Sequence, residues 1–179
     1  MNNFNPWHDL SYGDAAPEIV TAVIEIPNNS RGKYELHKES GMLMLDRVLS
    51  GAVRYPANYG FIPQTYCDDK DPLDILIIAS VDLYPLCIVE ARVIGVMKMV
   101  DGGEMDDKII AVAAKDPYYK EVKELSDLPK MQLAEIKHFF EDYKTLENKV
   151  VEVKEFKNRE TAISIVKESI ELYRTEIAK

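Results

Sequence analysis

The chain has few of the residues that build disulfide or zinc frameworks. Only two cysteines, Cys67 and Cys87, and three histidines, His8, His37 and His138, occur in its 179 residues. The cysteines lack the spacing of metal ligands and the histidines are scattered, so a zinc site is not predicted. The sequence instead predicts two free thiols in a reducing compartment, which favours a cytoplasmic location.

The chain also lacks long apolar runs and an excess of basic residues. No stretch approaches the ~20 apolar residues that span a bilayer. The first ten residues have no basic segment followed by an apolar one, so neither a membrane span nor a signal peptide is predicted. Asp and Glu total 31 against 22 Lys and Arg, a formal net charge of −9. This balance argues against non-specific binding to nucleic acid or anionic membranes.

What is present is the composition of a globular protein, and one domain over residues 1–179 is predicted. Apolar residues recur at spacings of three and four in residues 133–143 and 163–177, so two amphipathic helices are predicted. The start signals are Ser126, Asp127 and Pro129 for the first and Asn158 for the second. Strand signals precede both helices in residues 20–26, 33–37, 42–48, 53–55, 74–79, 88–100 and 109–113. One more strand signal, in residues 150–156, lies between the two helices. This order indicates an α+β domain, a small closed β-barrel with two flanking helices.

The most informative segment is Asp-Lys-Asp-Pro-Leu-Asp, residues 69–74, which stands directly before an apolar run. Two carboxylates about 4 Å apart repel by about 4 kcal/mol at an effective dielectric constant of 20, and a divalent cation removes that cost. In an extended backbone Asp69 and Asp71 lie on one face, and a turn at Pro72 brings Asp74 toward them. The alternative is a solvated, inert acidic turn. An EF-hand is excluded because its required Gly and Glu are missing.

Other charged or phenolic residues interrupt the apolar patterns, and each has an ordinary structural alternative. Arg47 interrupts a strand pattern and is otherwise explained as a surface partner of Asp46. Lys33 is otherwise an exposed residue of an edge strand, and Lys144 suits the end of a helix. A second acidic cluster in residues 101–108 is otherwise a solvated hairpin loop. Residues 55–60, which contain two tyrosines, predict a turn whose phenols pack in the core.

Taken together and in this order, these features resemble the soluble family I inorganic pyrophosphatases. The resemblance covers nearly the whole chain, from about Phe4 to the last helix. Residues 69–74 match the family signature D-x-D-P-x-D, and the opening Pro-Trp-His-Asp-Leu is similar to the short prokaryotic, especially archaeal, members. Further segments that match the family are residues 24–27, 33–35, 45–47, 55–60, 95–99, 101–108 and 138–144.

The resemblance implies metal-dependent hydrolysis of inorganic pyrophosphate to two orthophosphates, by in-line attack of a metal-activated water. It implies a five-stranded barrel of the oligonucleotide-binding type with extra strands and flanking helices. The implied cofactor is Mg²⁺, several ions per site, with Mn²⁺ or Zn²⁺ as substitutes. The prokaryotic members imply self-association to a homohexamer, a dimer of trimers.

The resemblance also implies a role for individual side chains. The implied metal ligands are Asp69, Asp74, Asp101 and Asp106. The implied catalytic residues are Asp71, as the general base, with Tyr59 and Arg47. The implied phosphate-binding residues are Lys33, Arg47, Tyr59, Lys108, Tyr143 and Lys144. The implied supporting residues are Glu25, Glu35 and Tyr55.

Two positions depart from the family pattern. Lys70 occupies the second signature position, where the family usually has a smaller residue. Gly102 stands where many bacterial members carry a Glu, so no supporting carboxylate is expected there. A phosphate- or nucleotide-binding barrel without activity would not need Asp71, and a structural cation site would not need Arg47 or Lys33. The presence of both sets favours the enzyme.

Overall fold

The structure, a computed structural model, describes residues 4–178; residues 1–3 and 179, which the predicted domain includes, lie outside the described residues. The first half comprises α1 (Pro6–Asp9), β1 (Ile19–Ile26), β2 (Gly32–His37), β3 (Met42–Val48), β4 (Asn58–Phe61) and β5 (Asp74–Ile78). The second half comprises β6 (Ile88–Asp101), β7 (Glu104–Met105), β8 (Lys108–Ala113), α2 (Lys130–Asp142), β9 (Val151–Asn158) and α3 (Arg159–Glu176).

Five of the strands pair around a closed ring. The order is β1, β4, β5, β8 and β6, and β6 pairs back with β1. The β5–β8 pair is parallel and the other pairs are antiparallel. The long β6 extends past the ring and also pairs with β7 and β9. The predicted five-stranded closed sheet with extra strands is therefore confirmed.

The ring is buried on both of its faces, which explains the unbroken apolar run of β5. Leu76 and Ile78 pack in a cluster that includes residues of α2, whereas Ile75 and Ile77 pack in a cluster that includes residues of α3. Successive residues of a strand point to opposite faces, so a strand covered on both sides needs apolar residues at every position. The two predicted helices thus contribute to the apolar clusters on opposite faces of the sheet.

Both helices begin close to their predicted start signals. The backbone N–H of Thr161 donates to the Asn158 side chain at 3.1 Å, a cap that contributes about 1 kcal/mol. Pro129 stands at the cap position of α2. No helix within residues 4–178 is long and apolar enough to cross a membrane.

The predicted turn at residues 55–60 is wrong in its second half, and so is the strand predicted at 53–55. Asn58–Phe61 form β4, whereas 53–55 are loop. Asn58 is a turn-forming residue type, but here its buried amide donates to the carbonyl of Ile77 at 3.2 Å. Gly60 permits a close strand crossing, because a Cβ atom there would lie 1.9 Å from the carbonyl oxygen of Val23.

Residues 68–71 form a tight turn and β5 begins at Asp74, so the extended backbone predicted at Asp69 and Asp71 is wrong. The backbone N–H of Cys67 donates to the carbonyl of Asp71 at 2.9 Å, and that of Lys70 donates to the carbonyl of Cys67 at 2.9 Å. Lys70 closes the turn with φ = +68°, in the left-handed region that L-residues rarely adopt. This conformation gives a physical reason for a small residue at the second signature position.

Candidate active site

One cavity of about 240 Å³ collects most of the predicted site residues at the end of the ring where β5 and β8 begin. It is lined by Glu25, Lys33, Glu35, Tyr59, Asp69, Asp71, Asp74, Asp101, Asp106, Lys108, Tyr143 and Lys144. Of the predicted set, Arg47 and Tyr55 do not line it. Residues that are up to 119 positions apart in the chain, Glu25 and Lys144, therefore share one space.

Lys108 lies at the centre of the acidic set. Its Nζ is 2.5 Å from Asp74 Oδ2 and 2.5 Å from Asp106 Oδ1, and only 3% of its side chain is exposed. Burial disfavours the ammonium, but the carboxylates of Asp74 and Asp106 raise the pKa of Lys108 above its ordinary value. The Tyr59 hydroxyl donates to the same Asp74 oxygen at 2.5 Å. The lysine therefore holds two carboxylates together in a buried position.

Burial and mutual repulsion disfavour the charged forms of Asp69 and Asp106. Burial, with smaller contributions from Asp74 and Asp71, raises the pKa of Asp69 to about 6, although the backbone N–H of Asp71 donates to it at 3.1 Å. Burial also raises the pKa of Asp106, against the opposing effect of Lys108. The cavity thus concentrates carboxylates that need positive charge beside them.

Lysine ammonium groups supply that charge to four of the five aspartates. Asp74 and Asp106 pair with Lys108, Asp101 pairs with Lys144, and Asp71 pairs with Lys38. Within residues 4–178, no three acidic, thiol or imidazole side chains are grouped closely enough to hold an ion as they stand. Their chemistry nevertheless fits a hard divalent cation, because carboxylate oxygens are the donors that such ions prefer.

The hairpin between β6 and β7 fixes Asp101 at the rim of the cavity. Gly102 and Gly103 form its two-residue turn, with φ of +60° and +92°. Positive φ at both positions is typical of the tight turn that connects antiparallel strands, and glycine adopts it without strain. The glycine at position 102 therefore suits the turn, and the Tyr143 hydroxyl donates to Asp101 at 3.3 Å from the other side.

Arg47 lies beside the cavity rather than in its wall. Its Nε donates to Glu147 at 3.0 Å and its Nη1 to Asp46 at 2.7 Å, so the pairing with Asp46 that was its structural alternative is present. Its Nη2 is buried and has no hydrogen-bond partner among the described residues. Lys33, which does line the cavity, also contacts Asp46, at 3.2 Å, so the two cations share this carboxylate.

Two of the predicted supporting residues are buried, Glu25 in the wall of the cavity and Tyr55 behind it. Burial raises the pKa of Glu25 to about 8, although its carboxylate accepts a 2.6 Å hydrogen bond from the backbone N–H of Leu36. Tyr55 packs on Phe139, with ring centroids 4.7 Å apart, and burial raises the pKa of its phenol. Glu25 thus connects β1 of the ring to the β2–β3 hairpin, which carries Lys33 and Arg47.

Five lining residues had no predicted role at the site: Trp7, Tyr34, Leu36, Lys38 and Pro72. Trp7 and Lys38 are the two that meet beside Asp71. Trp7 belongs to a four-residue helix, and Lys38 lies in the turn of the β2–β3 hairpin. Neither position shows a charge or periodicity pattern that sets it apart, because their proximity to the acidic segment depends entirely on the tertiary fold. The N-terminal arm and the hairpin turn thus form a wall that local patterns did not predict.

The geometry of this cavity agrees with comparisons to known proteins. The family model described as inorganic pyrophosphatase matches residues 22–174. The chain belongs to the inorganic pyrophosphatase family. The resemblance and the predicted enzyme class, an inorganic diphosphatase, are therefore confirmed.

Individual relatives match the chain over most of its length. Soluble inorganic pyrophosphatase 2 of Chlamydomonas reinhardtii is 51% identical over 170 residues, which are 95% of this chain and 88% of the relative. The crystal structure of inorganic pyrophosphatase from Thermus thermophilus is 41% identical with a TM-score of 0.93, covering 96% of this chain and 99% of that one. The Helicobacter pylori inorganic pyrophosphatase structure is 49% identical with a TM-score of 0.85, covering 88% and 94% of the two chains. Members of this family act with a divalent metal cofactor.

Proposed function

We propose that this cavity hydrolyses inorganic pyrophosphate to two orthophosphates with Mg²⁺ as the cofactor. The observation that carries the proposal is that five aspartates and Lys33, Lys108 and Lys144 line one space of about 240 Å³. A polyanionic substrate can approach carboxylates only where cations lie between them, so both sets are needed together. A phosphate-binding barrel would use only the basic set, and a structural cation site would use only the acidic one.

The acidic set is suited to several Mg²⁺ ions, with Mn²⁺ or Zn²⁺ as substitutes. Asp69, Asp74, Asp101 and Asp106 would hold them. When bound, a divalent cation polarises phosphoryl oxygens and lowers the pKa of water toward neutrality. Cations held by Asp74 and Asp106 would compete with the ammonium of Lys108 for these carboxylates, and Lys108 would then be available to the substrate.

Asp71 is suited to be the general base. It lies in the turn beside the other aspartates and about half of its side chain is exposed, so attacking water can reach it. The oxygen of that water bonds to one phosphorus, the bond from this phosphorus to the bridging oxygen breaks, and the proton of the water passes to Asp71. Two orthophosphates result. Transfer of this kind depends mainly on positioning and on charge neutralisation.

The basic and phenolic side chains are suited to bind phosphate oxygens. Lys33, Lys108 and Lys144 act as point charges, and Tyr59 and Tyr143 offer hydroxyl donors. Arg47 can bind two oxygens at once through its planar fork. Its buried Nη2, which has no partner among the described residues, is a donor that a phosphate oxygen would satisfy. Glu35 and Glu25 support Lys33 and the hairpin that carries it.

The proposal extends to assembly and location. We infer a homohexamer, a dimer of trimers, in the cytoplasm. The apolar stripe of α3 does not support assembly, since Val166 and Ile170 are buried in the same chain, and the same holds for Trp7. Exposed Tyr84 and Ile88 do support it, because large apolar side chains on a surface favour association. Light scattering in Mg²⁺ buffer tests the hexamer, and a mass near that of one 20.4 kDa chain with full specific activity contradicts it.

The test of the function is phosphate release from pyrophosphate by the purified chain, with MgCl₂ and with EDTA. We expect rapid release with Mg²⁺ and none after metal removal. Asp71→Asn is the control that keeps the cavity but removes the general base. Binding of phosphate without release would favour a phosphate-binding barrel, and full activity in EDTA would contradict the metal requirement.

A further inference from the structure

Trp7 forms a rigid wall of the cavity beside the acidic segment. Its indole is 5% exposed, and its Nε1 donates to the carbonyl of Thr65 at 2.9 Å. The backbone N–H of Gln64 donates to the carbonyl of Trp7 at 2.8 Å, and the ring stacks on Tyr66 with centroids 6.3 Å apart. These contacts fix the indole to the chain just before the turn that carries Asp69 and Asp71.

The turn of the β2–β3 hairpin is fixed to the same N-terminal arm. The side-chain amide of Asn5 donates to the carbonyl of Lys38 at 2.6 Å. A Cβ atom at Gly41 would lie 2.5 Å from the carbonyl oxygen of Phe4, so the turn and the arm are in close contact. The backbone of Lys38 is thus held in place, while its long side chain extends into the cavity.

The ammonium of Lys38 contacts both the general base and the indole. It pairs with the Asp71 carboxylate and lies 5.6 Å from the centroid of the Trp7 ring. About half of the Lys38 side chain is exposed, in contrast to Lys108, which is almost fully buried. Lys38 is therefore the most exposed of the four lysines that line the cavity, and the aromatic face offers a second place for its charge.

The contact between Lys38 and Asp71 conflicts with the proposed reaction. An ammonium on the Asp71 carboxylate occupies lone pairs that must take the proton of water. If cations and pyrophosphate occupied the cavity, Lys38 would have to leave Asp71, and a phosphate oxygen would offer its ammonium an anionic partner in the same space. The four-carbon stem of lysine allows this exchange without movement of the backbone.

We propose that Lys38 is a further substrate-binding residue, which leaves Asp71 when cation and pyrophosphate bind and takes a phosphate oxygen beside Trp7. The inference rests on the proposed function, because it uses Asp71 as the base. It assigns a role to the wall formed by the N-terminal arm and the hairpin turn. The wall keeps this ammonium close to the cavity in both positions.

The test combines kinetics with the fluorescence of Trp7, which is the only tryptophan of the chain. Lys38→Met should raise the KM for pyrophosphate by about 10- to 100-fold, the effect of one hydrogen bond to a charged group. It should leave the Mg²⁺ concentration for half-maximal activity nearly unchanged, because Lys38 pairs with Asp71 and with none of the proposed metal ligands. In the wild type, MgCl₂ followed by inorganic phosphate should change the Trp7 emission, and Lys38→Met should lose most of that change.

Two further variants make the outcome specific. Lys38→Arg keeps a cation, so its KM for pyrophosphate should stay close to that of the wild type. Lys154→Met is the matched control, since Lys154 is similarly exposed and pairs with Glu152 at 2.5 Å outside the cavity, and its kinetics should equal those of the wild type. An unchanged KM together with an unchanged Trp7 titration in Lys38→Met overturns the inference. Absence of phosphate release in the wild type would contradict the proposed function instead, and the Trp7 titration would still report whether Lys38 moves.

Discussion

Asp74 and Lys108 face each other at the first positions of two parallel strands, β5 and β8, and their charged groups are 2.5 Å apart. The register of the two strands places these residues opposite each other. Every later pair in the same ladder is apolar. Each strand therefore begins with one charged residue at the cavity and continues into the core. The buried lysine bridges Asp74 and Asp106 and so holds together two carboxylates that would otherwise repel each other.

Replacing Lys108 with Met should destabilise the metal-free protein strongly. It leaves Asp74 and Asp106 partly buried without their partner, and breaking a buried pair costs about 3–5 kcal/mol. MgCl₂ should restore most of the loss, since a cation can take the place of the ammonium. Urea unfolding in EDTA and in MgCl₂ measures both effects. Lys98→Met is the control, because it breaks the more exposed pair with Asp107. It should lower the free energy of unfolding less than Lys108→Met does and gain no extra stability from Mg²⁺. Equal Mg²⁺ dependence in the two variants would argue against a metal role for Asp74 and Asp106.

Substitution by asparagine should affect the maximal rate at Asp71 and the Mg²⁺ requirement at Asp74. Asp71→Asn should lower the maximal rate by roughly 10²–10⁴, the usual contribution of a general base, with little change in the Mg²⁺ requirement. Asp74→Asn should instead raise the Mg²⁺ concentration needed for activity, because it removes one of the proposed metal ligands. Titration of Mg²⁺ against initial rate for each variant separates the two roles. If both variants reach the wild-type rate at high Mg²⁺, then Asp71 is not the base.

The acidic segment and the apolar run after it were predictable because both are local. The register that places Asp74 opposite Lys108 was not, since it pairs strands that are distant in the chain through a parallel ladder. The turn predicted at residues 55–60 was wrong in its second half because the amide of Asn58 satisfies buried backbone groups instead of forming a turn. Local signals also gave both helices, whose periodicity and caps depend on neighbouring residues alone.

The site was predicted for similar reasons and with similar gaps. The motif identified most of the residues that line the cavity, but it could not show that Arg47 lies behind the wall, held by Glu147 from a distant loop. The motif also could not show that Lys38 and Trp7 line the cavity, because nothing in their local sequence indicates a contact with Asp71. Predictions of residue identity thus succeeded where a motif exists, and predictions of geometry required the fold.

Glu25 should make the stability of the metal-free protein depend on pH. Its pKa is about 8 in the folded state against an ordinary value of 4.5, mainly because it is buried. Between these two values the folded state holds a proton that the unfolded state has lost, so Glu25 lowers stability as the pH rises, by up to about 1.4 kcal/mol per pH unit. Below pH 4.5 both states are protonated, and above pH 8 the loss is complete.

Glu25→Gln removes this titration and keeps an oxygen for the N–H of Leu36. We therefore expect the variant and the wild type to have similar stability near pH 5 and the variant to be the more stable near pH 9. Urea unfolding in EDTA at a series of pH values measures the difference, in which the titration of Asp69 cancels because both proteins carry it. A difference that stays constant with pH would mean that the carboxyl of Glu25 does not titrate in this range.

Lys70→Gly should stabilise the protein without loss of activity. Lys70 has φ = +68° and an exposed side chain that forms no ion pair with another described residue. The left-handed conformation costs an L-residue about 1–2 kcal/mol, while the added freedom of glycine in the unfolded chain costs about 0.5–1 kcal/mol, so a net gain of about 0.5–1 kcal/mol is expected. Lys120→Gly is the matched control, because Lys120 is an exposed turn residue with φ = −55° and should lose stability on the same change. Free energies of unfolding from urea titration measure the gain expected for Lys70→Gly and the loss expected for the control. Destabilisation of Lys70→Gly to the same extent as the control would show that the turn at residues 69–74 holds no strain at this position, and that the smaller residue usual in the family is favoured there for another reason.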